Sequence, residues 1–121
     1  MTNANKPIGK TVFLDLDGTV VEHNYNPDAI PDTPLMRRIE SLVTFLASQE
    51  QPCTLVITTG RSESHARQAV KLLREHNVYP DILLHSLPVG KRILINDSKD
   101  GSATAEAICV ERNQDTPFLA L

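Results

Sequence analysis

Long apolar runs are absent: nothing in the 121 residues approaches the ~20 apolar positions of a membrane-spanning helix. The first ten residues, MTNANKPIGK, form a polar segment without the apolar stretch of a secretory signal. A cytoplasmic protein that does not engage membranes is the expectation. Basic residues are equally unclustered. With 12 Lys and Arg against 15 Asp and Glu, the formal charge is -3, so there is no electrostatic stripe for wrapping nucleic acid. A nucleotide as a small substrate is not excluded by that balance. Cysteine is scarce, and neither Cys53 nor Cys109 has Cys or His neighbours at zinc-ligand spacing. Both sit in apolar stretches and read as buried free thiols. The four histidines are scattered, and only His23 lies near the residues singled out below. No internal repeat or low-complexity tract interrupts the chain.

What is present is the balance of a soluble domain, 40% apolar and 22% charged, in a length that holds one hydrophobic core. Residues 1–121 are therefore read as a single domain with one site, with 113–121 as a tail or an interface strand.

Residues 11–16, TVFLDL, form a short apolar and β-branched run that stops at Asp17-Gly18. They predict a buried strand with two carboxylates at its C-terminal end. The following VVEHNYNPDAIPD has prolines 27 and 31 and no helical period, which predicts a loop or flap hairpin over that strand end. Thr33 is a candidate N-cap with Pro34 at the first helical position, and Leu35, Ile39, Leu42, Val43 and Leu46 recur at helical spacing, predicting a helix over 34–49. A second buried strand is predicted over 53–58, CTLVIT, ending at Thr59-Gly60-Arg61. Ser62 then caps a helix whose inner face is Ala66, Ala69, Val70 and Leu73.

Strand–helix alternation predicts a mainly parallel sheet covered by helices, with ligands bound beyond the carboxyl ends of the strands. Two more apolar runs, ILLH at 82–85 and ILIN at 93–96, read as strands, the second leading through Asp97 to a short helix capped by Ser98. The connection between them, SLPVGKR, is shorter than a parallel crossover needs, so one of the two should be an edge or antiparallel segment. A last strand is expected around 108–110.

Three clusters then stand at predicted strand ends: Asp15 with Asp17, Thr59, and Asp97. Strand ends on one edge of a parallel sheet converge in space. Carboxylates two residues apart on a strand project the same way, so Asp15 and Asp17 could hold one cation or divide into a nucleophile and an acid. Their repulsion calls for a metal or a protonated partner. A calcium loop of the EF-hand kind is excluded, because the bidentate Glu it requires at its twelfth position is Asn26.

These residues carry a resemblance. FLDLDGTV at 13–20 resembles motif I of the haloacid dehalogenase superfamily, VITTGR at 56–61 resembles its motif II, and ILINDSKDG at 93–101 its metal-binding motif IV. The resemblance implies a capless, three-layer Rossmann-like α/β fold. It further implies a magnesium-dependent phosphohydrolase in which Asp15 is the nucleophile and Asp17 the general acid/base. Magnesium (Mg2+) would be held by the Asp15 carboxylate, the Asp17 backbone carbonyl and Asp97, with Thr59 and the amides around Gly60 binding the phosphoryl oxygens. The motif III lysine departs from the pattern. Lys91 precedes the run 93–96 and should lie ~16 Å from Asp97 at ~3.3 Å per residue, whereas Lys99 follows Asp97 on the favourable edge and is preferred as the phosphate-binding lysine. Asn96, Asp100 and Arg61 are second-rank ligand or phosphate contacts.

A site without a cap is open, which suits a large substrate or one enclosed by a neighbouring subunit, so a homo-oligomer is expected. The stretch LLHSLPVGKRILINDSKDG also resembles small phosphatases of surface-polysaccharide sugar pathways, which makes a sugar phosphate or related phosphorylated metabolite the first expectation for the substrate. The alternatives are a non-catalytic phosphoryl-binding or regulatory module that keeps the motifs without motif III, and a phosphatase acting on nucleotide or polynucleotide ends.

Overall fold

A computed structural model describes residues 8–24 and 31–118. Among them the chain runs β1 (Thr11–Asp15), α1 (Met36–Ser48), β2 (Thr54–Thr58), α2 (Glu63–Glu75), β3 (Ile82–Leu84), then a two-residue pair β4 (Ser98–Lys99) and β5 (Ser102–Ala103). The first three strands form an open parallel sheet in the order β1-β2-β3. The protein is thus an α/β domain, as the alternating pattern predicts. No described helix is long and apolar enough to cross a membrane.

The alternation of side chains across the sheet decides where the core sits. Leu14, Leu55 and Ile57, with Val12 and Leu83 less deeply, belong to one cluster that also contains Ile39 and Leu42 of α1 and Ala69 and Leu73 of α2. Both helices therefore cover the same face. On the other face Phe13, Ile82 and Leu84 are 55, 49 and 42% exposed. The expected third layer is not found among the described residues.

The second helix forms as its local sequence dictates: Ser62 is the N-cap and its hydroxyl accepts from the His65 amide, while Ala66, Ala69 and Leu73 are buried. The first helix starts two residues later than predicted. Thr33 and Pro34 pair with the segment after β1 instead, the Glu22 amide donating to the Thr33 carbonyl and the Leu35 amide to that of Val20. With its own candidate cap drawn into that pairing, α1 has Leu35 at the cap position and no side-chain cap there. Asp115 supplies the missing acceptor from 78 residues away, taking the Arg37 and Arg38 amides. A carboxylate at this end satisfies orphan donors and the helix dipole together.

Arg38 is 1% exposed and fastens the same region. Its Nη1 donates to the carbonyls of Gly18 (2.7 Å) and Thr19 (3.3 Å), and its Nη2 to that of Glu111 (2.5 Å). Burial pushes this guanidinium below its ordinary pKa, against the pull of Asp115. One side chain thus joins the turn after β1, α1 and the C-terminal segment.

Beyond β3 the expectations fail locally. Residues 93–96 form no strand, and Ile93, Leu94 and Ile95 are 77, 58 and 91% exposed. The short connection after β3 leaves no room for a crossover back to the sheet. Ser98 opens the β4–β5 hairpin, turning at Asp100 and Gly101 with positive φ, instead of capping a helix. No strand forms at 108–110. Segment 111–118 joins α1 through Asp115 and Phe118 and the segment after β1 through Asn113. Cys53 is half-buried and Cys109 exposed, so neither is the fully buried thiol expected. The middle of the expected flap, 25–30, lies outside the described residues.

Replacing Arg38 by the similarly long Met removes a buried donor shared by the Gly18, Thr19 and Glu111 carbonyls and with it the tie between their segments. We expect a loss of about 2–4 kcal/mol in urea unfolding, against ~1 kcal/mol for removing the Asp115 cap with alanine. Equal, small losses for both would show that the Arg38 contacts do not hold the segments together.

Candidate functional site

The register of β1 on β2 builds the site. Asp15 pairs with Thr58, and Thr58 with Leu84, so Asp15 and Thr59 leave the sheet at the same edge. After β1 the chain folds back at once: the Thr19, Val20 and Val21 amides all donate to the Leu16 carbonyl and the Gly18 amide to that of Val21. Gly18 takes φ +82°, and a Cβ there would meet Cγ of Arg112 at 2.7 Å. Glycine is thus required twice over in the DLDG turn. The turn brings the Thr19 hydroxyl within 3.0 Å of Asp15 Oδ2, to which it donates.

Asp15 keeps contact with solvent, yet desolvation at the packed strand end raises its carboxyl above the usual carboxylate range. The neighbouring Asp17 charge pushes the same way, while the Thr19 hydrogen bond and the Arg92 charge oppose it. A carboxyl so perturbed, beside a second carboxylate and a hydroxyl donor, is the signature of a candidate reactive group.

The second turn, Thr59–Arg61, is held against the end of β3. The Thr59 amide donates to the Leu84 carbonyl, the Leu87 amide to that of Thr59 and the Ser86 amide to that of Arg61. Thr59 is 1% exposed. Its hydroxyl accepts from the Arg61 amide at 3.1 Å and keeps its own proton to donate. A Cβ at Gly60 would stand 3.3 Å from the Leu87 carbonyl oxygen, so the turn passes close to the chain beyond β3.

Arg61 crosses between the two turns. Its Nε lies 3.0 and 3.1 Å from the two Asp17 oxygens and its Nη2 2.7 Å from Oδ1. Its other edge is taken by Asp32, Nη2 to Oδ1 at 2.8 Å and Nη1 to Oδ2 at 3.1 Å. These side chains are only 13, 24 and 15% exposed for Arg61, Asp17 and Asp32. Burial alone would lower the guanidinium pKa, but the hydrogen bonds and charges of the two carboxylates outweigh it and the net direction is upward.

Of the predicted site residues, Asp15, Asp17, Thr59 and Gly60 come together. Asp97 and Lys99 do not join them: Asp97 is exposed in the hairpin segment, where its backbone carbonyl and Oδ1 accept from the Thr104 hydroxyl. Among the described residues no three His, Cys, Asp or Glu side chains are arranged to hold a metal. Of the expected magnesium donors, Asp15 and Asp17 stand at the strand edge, and Asp97 accepts from Thr104 in the hairpin segment. Lys99 is exposed in β4 and Lys91 is exposed before it. The cation that acts on Asp15 is Arg92, whose Nη1 donates to the Pro88 and Gly90 carbonyls. Asn96 donates to Thr104 and Asp100 occupies the hairpin turn, so neither reaches the site.

Sequence reasoning missed Arg92, Thr19 and Asp32. Thr19 had a legible signal, since it follows the DLDG turn at a spacing that returns it to Asp15. Asp32 had none, because only the chain path brings it to Arg61. A concavity along α1, lined by Thr44, Phe45, Pro117 and Phe118, does not include these groups. Chemistry, not concavity, marks the site.

In comparisons with known proteins, no family model, curated protein or solved structure matches the chain.

Because the Arg92 charge lowers the Asp15 carboxyl pKa, Arg92→Ala should move it further up, read by carbon-detected NMR titration of the Asp15 carboxyl. Lys91→Ala and Lys99→Ala should leave it unmoved. A shift in either lysine variant comparable to that in the arginine variant would place a lysine at the site.

Proposed function

We propose that the chain is a phosphomonoester hydrolase that works through an aspartyl-phosphate. The observation that supports this reading is the shared strand edge, where Asp15 receives the Thr19 hydroxyl beside the Asp17–Arg61 pair and the Thr59–Gly60 turn. In the proposed reaction an Asp15 oxygen attacks phosphorus as the phosphorus–oxygen bond to the alcohol breaks, and Asp17 gives its proton to the leaving alcohol. Asp17 then takes a proton from water as the water attacks the phosphoryl group. This releases inorganic phosphate and restores the Asp15 carboxylate. The Thr59 hydroxyl and the Gly60 amide hold the phosphoryl oxygens.

The finer parts of the reading rest on the motif resemblance: a Rossmann-like fold of the haloacid dehalogenase kind without a cap, a sugar phosphate or related metabolite as substrate, a cytoplasmic setting and a homo-oligomer that encloses the open site. Magnesium dependence belongs to the proposal on the same ground, with Asp15 and Asp17 the part of its ligand set that stands together. A second reading, a phosphoryl-binding module without turnover, is favoured by the exposure of Asp97 and Lys99 and their pairing within the β4–β5 hairpin segment.

A panel of phosphorylated metabolites assayed with and without magnesium separates the two. Hydrolysis by the wild type and its loss in Asp15→Asn, with an unchanged thermal midpoint, is the expected result. Binding of phosphate esters without turnover would establish the module instead, and an Asp15→Asn variant that keeps most activity would remove Asp15 as nucleophile.

A further inference from the structure

Arg61 has two hydrogen-bonding edges, and each is occupied by a different carboxylate. The Nε/Nη2 edge faces both oxygens of Asp17 and the Nη1/Nη2 edge faces both oxygens of Asp32. A guanidinium is planar, so a bidentate partner on one edge fixes the plane in which the other edge must lie. Nη1 is further directed by the His65 carbonyl at 3.3 Å. Asp32 comes from the segment entering α1, whereas Arg61 belongs to the turn after β2 and Asp17 to the turn after β1. The shared cation is thus the point at which three separate segments meet, in surroundings only 13 to 24% exposed.

We propose that Asp32 is a positioning residue for the Asp17 carboxylate, acting through the Arg61 guanidinium that the two share. This rests on the hydrolase reading, in which Asp17 serves the leaving alcohol. It assigns a role to a residue outside the motifs, and it takes Arg61 away from direct phosphate contact. Without Asp32 one edge of the guanidinium loses its bidentate partner, and only the longer His65 contact is left to hold that edge against the pull of Asp17. The Asp17 oxygens then lose the direction from which they meet the leaving group, while Asp15, Thr59 and Gly60 keep theirs. The defect is confined to the step that needs the acid.

That confinement gives a readout which general damage to the fold would not produce. An alkyl phosphate has a poor leaving group and depends on proton donation, whereas p-nitrophenyl phosphate departs without it. For Asp32→Asn, kcat/KM on the alkyl ester is expected to fall by roughly 10- to 100-fold, a part of what a general acid contributes, with a change of about twofold or less on the aryl ester. Arg61→Lys, which keeps the charge but not the fork, should show the same split. Asp32→Glu, which keeps charge and both oxygens, should recover most of the alkyl rate, and serves as the deciding variant should Asp32→Asn fail to fold.

Equal losses on the two esters, no loss on either, or an Asp32→Glu variant as impaired as Asp32→Asn would overturn the role of Asp32 and leave the hydrolase reading standing. A wild type that cleaves neither ester would remove both.

Discussion

The parallel pairing of β1 with β2, Asp15 against Thr58, is the constraint from which the site follows. In a parallel pair both strands leave the sheet in the same direction, and the chain must cross over through a helix before it can return. The turns after β1 and β2 are therefore brought to one edge by topology, although they are some forty residues apart in sequence. A slip of one residue would turn Leu14 and Ile57 out of the core and Asp15 into it, so the burial of those two side chains, at 5 and 0% exposure, also fixes where the carboxylate points.

At that edge the charges are arranged around a deficit of cations. Asp15, Asp17 and Asp32 bring three negative charges, and Arg61 engages two of them. Asp15 is left with the Thr19 hydroxyl and the more distant Arg92 charge, and desolvation prevails over both in setting its pKa. The arrangement keeps one carboxyl unpaired and perturbed while its neighbour is held in a fork.

The parts legible in the sequence were those decided within a few residues. TVFLD and TLVIT, the Ser62 cap, the Ala66–Ala69–Leu73 face and the DLDG turn each carry their own instructions. The start of α1 was misread because Thr33 and Pro34 satisfy the cap and first-turn pattern locally, while the structure uses them for pairing with Val20 and Glu22 and takes its cap from Asp115. Arg61 was legible as a residue but not as a bridge, since its partners come from two other segments. ILIN at 93–96 has the composition of a buried strand, yet composition cannot supply a neighbouring strand to pair with, and the seven residues after His85 do not carry it back to the sheet. With that run go the expected positions of Asp97 and Lys99.

The one-sided covering of the sheet has a consequence for the behaviour of the protein in bulk. Phe13, Ile82 and Leu84, flanking a buried Val56 on the face away from the helices, and Ile93, Leu94 and Ile95 beyond it present branched and aromatic surface to water, and among the described residues β1 is an edge strand. Such an edge is a template for strand addition from a like chain, and a net charge of -3 offers little electrostatic resistance to close approach. Colloidal stability therefore depends on this face and edge more than on the carboxyl end of the sheet, and charged substitutions at Phe13 or Ile82 would raise solubility without touching the core cluster.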